Sequence, residues 1–172
     1  CYNSMTNTVE ELVYIPYDKS YELLKTEINK LSYLNKSNIY YFMIDGSVYA
    51  VDLESESCKT IASGLRENGY HVSDSNKMIV WQEGNDLYAS SRLTLMNLNT
   101  QAQTTINAGT GEYISVIGFM EEDLIYGLAK KKDVVKNNMD VQSEKMVQTD
   151  KMFEQFNDGV IASIGSVDNI AV

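Results

Sequence analysis

At 172 residues, 44% of them apolar, the chain is long enough for one domain with a sizeable core and too short for two large ones. A formal net charge of −10, with no basic run beyond Lys130-Lys131-Lys132, argues against nucleic acid or an anionic membrane surface as partner. Two cysteines, Cys1 and Cys58, make neither a disulfide framework nor a C-x-x-C pair, and no apolar stretch reaches the length of a transmembrane segment.

Twelve tyrosines against a single proline favour half-buried pleated surfaces, where the ring packs and the hydroxyl stays wet. The first residue, Cys1, is not a methionine, so the chain reads as a processed or trimmed product. One reading makes Cys1 the lipidated start of a bacterial lipoprotein; the other makes it a trimmed end.

In chain order, Glu11 to Tyr17 is a short β-prone run ended by Pro16. From Asp18 to about Asn35 the residues Tyr21, Leu24, Ile28 and Leu31 recur at steps of three and four, predicting an amphipathic helix capped by Asp18. Its other face carries Glu22, Lys25, Glu27 and Lys30. Asp45-Gly46 between Ile39–Ile44 and Ser47–Leu53 predicts a tight hairpin, because both central residues must accept positive φ. Further strands are expected at Lys59–Ala62, Tyr70–Ser73, Met78–Gln82, Asp86–Ser90, Leu93–Leu98, Thr104–Asn107, Tyr113–Ile117 and Asp123–Leu128, with a turn at Gly118–Asp123. After Lys132 the pattern fails. Lys145 to Phe156 reads as a helix or as a strand entering a turn at Asn157-Asp158-Gly159, and Val160–Val172 as a last strand or a segment lying on a neighbour.

The chain repeats itself. Ser47 to Gly84 lies on Arg92 to Ala129 with a constant shift of 45 and no gap, placing Leu53 on Leu98, Ile61 on Ile106 and Val72 on Ile117. Met78-Ile79-Val80-Trp81 falls on Asp123-Leu124-Ile125-Tyr126, and Leu12-Val13-Tyr14 has the same character. A period of this size built from short strands is the mark of propeller-type arrays.

The run from Tyr70 through Ser73-Asp74-Ser75-Asn76-Lys77 to Trp81, followed by Leu87-Tyr88-Ala89 and Leu93–Leu98, resembles one blade of the TolB-type (WD40-like) β-propeller repeats. The turn lacks the family's proline and has Asn76 where the family has glycine, while Ser47–Leu53 resembles the family's third strand. The third turn, Gly118 to Asp123, departs from the motif. The resemblance covers residues 11 to about 130 and implies a mainly β fold: antiparallel blade-like meanders of a partial β-propeller with one inserted amphipathic helix. Residues 1–132 are then the blades, with the helical insertion at about 18–35, and residues 133–172 a diverged tail. About two and a half blades do not close a ring of four to eight. Missing blades or self-association would have to cover the exposed sheet edges.

No catalytic, cofactor-binding or metal-binding signature emerges: G-x-S-x-G, the phosphate-loop pattern, H-E-x-x-H and G-x-G-x-x-G are all absent from the sequence. Gly109-Thr110-Gly111 reads as a turn. Asp133, Asn137, Asp140 and Glu144 lack the spacing and glycine of a calcium loop. His71, the single histidine, falls on the innermost strand, facing a central channel or a neighbouring blade; a structural role is the alternative. Trp81 and Tyr70 are candidates for ligand contact or for core packing. The function expected is a non-catalytic binding or protein-interaction module with a protein or glycan partner, extracytoplasmic or at a bacterial cell surface. The alternative is the substrate-gating propeller portion of a larger hydrolase resembling prolyl oligopeptidase.

Overall fold

A computed structural model describes residues 2–9, 11, 13–84 and 86–134, which divide into two compact units, one up to Arg66 and one from Glu67 on. The fold is mainly β, with antiparallel sheets and one α-helix. Among the described residues no helix is long and apolar enough to cross a membrane.

In the first unit a minimal hairpin, β1 (Tyr2–Asn3) and β2 (Thr8–Val9), precedes the helix α1 (Tyr21–Lys30). A meander follows: β3 (Ser32–Leu34), β4 (Ile39–Ile44), β5 (Ser47–Asp52) and β6 (Ser57–Ala62), adjacent in space in their sequence order. The β4–β5 turn forms as expected. Asp45 and Gly46 sit at φ 50° and 64°, the combination whose twist matches that of the flanking strands. Gly46 is fixed by a second constraint: its carbonyl accepts the Leu65 N–H at 2.8 Å, and a Cβ there would lie 2.5 Å from the Leu65 oxygen.

Phe42, Ile44 and Val51 form this unit's buried cluster, with Tyr40 and Tyr49 stacked on Phe42 at centroid distances of 5.4 and 5.6 Å. Val13, Ile15, Tyr17, Leu24 and Ile28 cover it.

Two expectations for this region are corrected. The described residues of 11–17 join no ladder; the segment is an extended strap whose Val13, Ile15 and Tyr17 point inward while Tyr14 stays exposed. Pro16 has no N–H to give a ladder. The helix is also shorter than the span 18–35. Its N-cap is Ser20 rather than Asp18, with the Leu23 N–H donating to the Ser20 hydroxyl, and Leu31 is already extended at φ −150°, ψ 122°. Pairing of Ser32 with Phe42 replaces a further helical turn. Leu24 and Ile28 of the apolar stripe pack inward, whereas Tyr21 is exposed and Leu31 is buried outside the helix.

The second unit holds β7 (Tyr70–Val72), β8 (Met78–Gln82), β9 (Arg92–Asn97) and β10 (Gln103–Asn107) as another four-stranded meander. A hairpin follows, β11 (Glu112–Met120) and β12 (Asp123–Lys130), then a 3-10 turn at Lys131–Asp133. Met78, Val80, Leu93 and Leu95 pack on Ile114, Val116 and Leu124. Each such side chain, fully buried, contributes roughly 1.5–3 kcal/mol.

The two meanders share their register at most pairs; the first differs by a bulge that sets Val48 opposite Ala62 and by a β3–β4 turn one residue shorter than the β7–β8 turn. Ile39 faces Asp52 as Met78 faces Asn97; Ser32 faces Phe42 as Tyr70 faces Trp81; Tyr49 faces Thr60 as Thr94 faces Thr105. The turns repeat too. Asp52 Oδ1 accepts from the Glu54 and Ser55 N–H groups, and Asn97 Oδ1 accepts from those of Asn99 and Thr100. Asn35 and Ser73, both buried, each accept with their side chain from the first residue of the next strand, and each turn then passes through an asparagine at φ 57° or 58°, Asn38 or Asn76.

Three further expectations are corrected here. Asp86–Ser90 is a turn, because the Asp86 carboxylate accepts the Tyr88 N–H and the Ser90 hydroxyl donates to the Glu83 and Arg92 carbonyls. Gly118 is no turn residue: β11 continues to Met120, and the reversal is Glu121-Glu122. Ile117 is not the equivalent of Val72, since the β11–β12 register slips between Val116 and Gly118, leaving Ile117 in a bulge. The expectations for residues 145–156, 157–159 and 160–172 lie outside the described residues.

Candidate functional site

Tyr70 and Trp81 are directly opposed across β7 and β8, so their rings share one face of the second meander, with Thr94 beside Trp81 on β9. Both rings are half-buried. His71 opposes Val80 and therefore lies on the other face, against β11, with its Nδ1 3.7 Å from where a Gly118 Cβ would stand. Thus Tyr70 and Trp81 come together and His71 is separated from them by the sheet. Strand alternation is the cause.

His71 sits where burial holds its imidazole below the ordinary 6.5, favouring the neutral ring. Gly118 has φ 155°, a conformation that leaves room beside the ring and follows from the bulge at Ile117. On the same face Gln82 is buried and fully engaged. Its Oε1 accepts from Ser115 Oγ at 3.1 Å and from the Val116 N–H at 3.3 Å, while its Nε2 donates to the Leu87 carbonyl at 2.7 Å. Ser75 donates to Glu122, joining the β7–β8 turn to the β11–β12 turn.

The largest departure of the second meander from the first adjoins Trp81. β4 matches β8 with a shift of 39, whereas β5 matches β9 with a shift of 45, so the β8–β9 loop carries six additional residues. This loop, Glu83 to Ser91, is anchored at its base. Glu83 pairs with Arg92 at 3.2 Å and accepts from Thr94, and Ser91 and Ser90 carbonyls accept from the Ala108 and Ile114 N–H groups. Tyr70, Trp81 and the loop root share one end of the sheet, where the Gln82 N–H donates to the Gly69 carbonyl. Sequence reading missed this loop because Leu87-Tyr88-Ala89 looks strand-prone. The signal was available: the run Met78–Gln82 matches Ile39–Met43 at a different shift from the strands that follow.

Cys58 lies on β6 opposite Val51, where partial burial raises its thiol pKa and so favours the protonated thiol. Among the described residues, no group of three or more His, Cys, Asp or Glu is placed to hold a metal ion. No protein-family model matches the chain, and no curated protein shows significant similarity to it.

Proposed function

We propose that the chain is a non-catalytic binding or protein-interaction module built on TolB-like propeller blades, and that ligand contact is made by the loop from Glu83 to Ser91 with Tyr70 and Trp81 beside it. The observation that carries this reading is the six-residue expansion of that loop, the largest difference between two meanders whose other strand connections differ by a single residue. A rigid scaffold with one enlarged, anchored loop next to a Tyr–Trp pair is how binding surfaces are commonly built. Indole and phenol rings side by side suit a sugar face or an apolar side chain of a protein partner. A net charge of −10 suits an extracytoplasmic or cell-surface setting and a neutral or basic partner.

The test is a loop exchange. Gly84 to Ser91 is replaced by a two-residue Asp-Gly turn of the kind at Asp45-Gly46, which removes the six additional residues and keeps Glu83 opposite Arg92, and both proteins are screened on a glycan microarray and on immobilised peptidoglycan, with Trp81 fluorescence as a solution readout. Binding by the parent that the exchange abolishes, with the melting transition retained, supports the proposal. Binding that survives the exchange, or no binding to either surface, contradicts it for glycans. A Gly-x-Ser-x-Gly motif downstream in the same reading frame would make the chain the substrate-gating part of a hydrolase instead.

A further inference from the structure

In the second unit, the face of β12 that carries Leu124, Tyr126 and Leu128 packs on Met78, Val80, Leu93 and Leu95 of the neighbouring meander. Under the shift of 45, Leu124 and Tyr126 correspond to Ile79 and Trp81. Under the shift of 39 that relates β8 to β4, those correspond to Tyr40 and Phe42. The equivalent face of the first meander is therefore the one that carries Tyr40, Phe42, Ile44, Tyr49 and Val51. That face receives the strap residues Val13, Ile15 and Tyr17 and the helix residues Leu24 and Ile28. At the third repeat, a sheet of the same chain packs on this face; at the first, the strap and helix do.

We infer that residues 13–28 are an end cap, occupying the sheet face to which another blade would otherwise dock, and that a second copy of this chain takes that place when the cap is displaced. Stacked repeats require such caps, since an uncovered terminal face presents an apolar surface complementary to the next unit. Besides the apolar contacts of Val13, Ile15, Tyr17, Leu24 and Ile28, polar contacts hold the cap to the β4–β5 turn. The Asp45 N–H donates to Glu27 Oε2 at 2.7 Å, and Lys19 pairs with Asp45. Both fasten the cap to the Asp45-Gly46 turn. Beneath it, the stacked Tyr40, Phe42 and Tyr49 rings form a continuous aromatic row. The exposed side of the helix carries Glu22, Lys25 and Lys30 together with Tyr21 and Leu23.

The inference rests on the repeat and not on the loop, so it stands or fails independently of ligand binding. The test compares the full chain with its Leu24→Asp/Ile28→Asp variant by size-exclusion chromatography with light scattering over a hundredfold concentration range. Asn97→Ala serves as a control that weakens the fold elsewhere. Trp81 emission reports the second unit, which contains no part of the cap. The expected result is a weight-average mass at least twice that of the parent in the cap variant, rising with concentration, with Trp81 emission unchanged and the control at the parent's mass. An unchanged mass in the cap variant, or equal association of variant and control, overturns the inference. If the double variant loses its Trp81 signal, Glu27→Ala decides: it removes the acceptor for Asp45 and leaves the apolar contacts. A concentration-dependent rise in mass for Glu27→Ala supports the cap, and a mass equal to the parent's at every concentration rejects it.

Discussion

Asp52 and Asn97 hold the same turn in successive repeats, each side-chain oxygen accepting two backbone N–H groups from the residues two and three positions on. The residues at the end of these turns, Glu56 and Gln101, both take positive φ, at 55° and 66°. An amide and a carboxylate are interchangeable here because only the oxygen is used. Asn97→Ala is expected to cost about 1 kcal/mol, read as a lower urea midpoint with an unchanged m-value.

The carboxylate at Asp52 adds a pH dependence that Asn97 lacks. The Ser55 and Glu54 N–H groups hold its pKa below the ordinary 3.8. The unfolded chain therefore takes up the proton first, and this stabilisation is complete above about pH 4 and is lost as pH falls through the folded-state value. Asp52→Asn should melt like the parent at pH 7 and lose less stability than the parent between pH 4 and pH 2, as followed by thermal denaturation.

Gly46→Ala should be among the most damaging single changes in the first unit. Positive φ costs a non-glycine residue about 1 kcal/mol, and the added Cβ meets a backbone oxygen that cannot rotate away. A loss of at least about 2 kcal/mol is expected from chemical denaturation. Asp45→Gly, at φ 50°, keeps the turn and loses only the contact to Lys19.

What the sequence disclosed and what it hid follow from how local each cause is. The Asp45-Gly46 hairpin was legible because both residues are chosen by the turn itself. Met78–Gln82 was legible because a short apolar run between turn signals has few other uses. The strap at 13–17 keeps strand-like alternation without a ladder, and its composition alone does not reveal whether a partner strand exists. The helix end was set by Ser32 pairing with Phe42, a contact formed across the chain. Ile117 looks like Val72 in sequence, and only the register of β11 against β12 shows that it sits in a bulge. For the candidate site, Tyr70 and Trp81 were named together with His71, and only the pairing of β7 with β8 shows that the first two face each other while His71 lies on the opposite face. The loop beside them was obscured by three residues that resemble a strand.

Leu124 and Ile117 should separate sharply. Leu124 is fully buried in the core of the second unit, whereas Ile117 is 36% exposed. Leu124→Ala is expected to cost about 2–5 kcal/mol, and Ile117→Ala less than about 1. Equal losses in guanidinium denaturation would mean that Ile117 is packed in the core and that the bulge is absent.

His71 gives the second unit an acid sensitivity. Its folded-state pKa lies below the ordinary 6.5 because of burial, so protonation favours the unfolded chain. Stability should be unaffected by this group above about pH 6.5 and should decline as pH falls from there towards the folded-state value. His71→Gln should flatten that part of the profile, measured as the melting temperature between pH 7.5 and pH 4.5. A parent profile as flat as the variant's would place the imidazole in water.

The account's central claim is that one four-stranded meander occurs twice with the same register at most pairs, and cross-strand nuclear Overhauser effects measure register directly. Assigned spectra should show Ser32 opposite Phe42 and Tyr70 opposite Trp81, together with Ile39 opposite Asp52 and Met78 opposite Asn97. Contacts matching these four pairs would establish the repeat and the position of the loop between Gln82 and Arg92. Contacts displaced by one residue in either sheet, or a ladder formed by Asp86–Ser90, would contradict it.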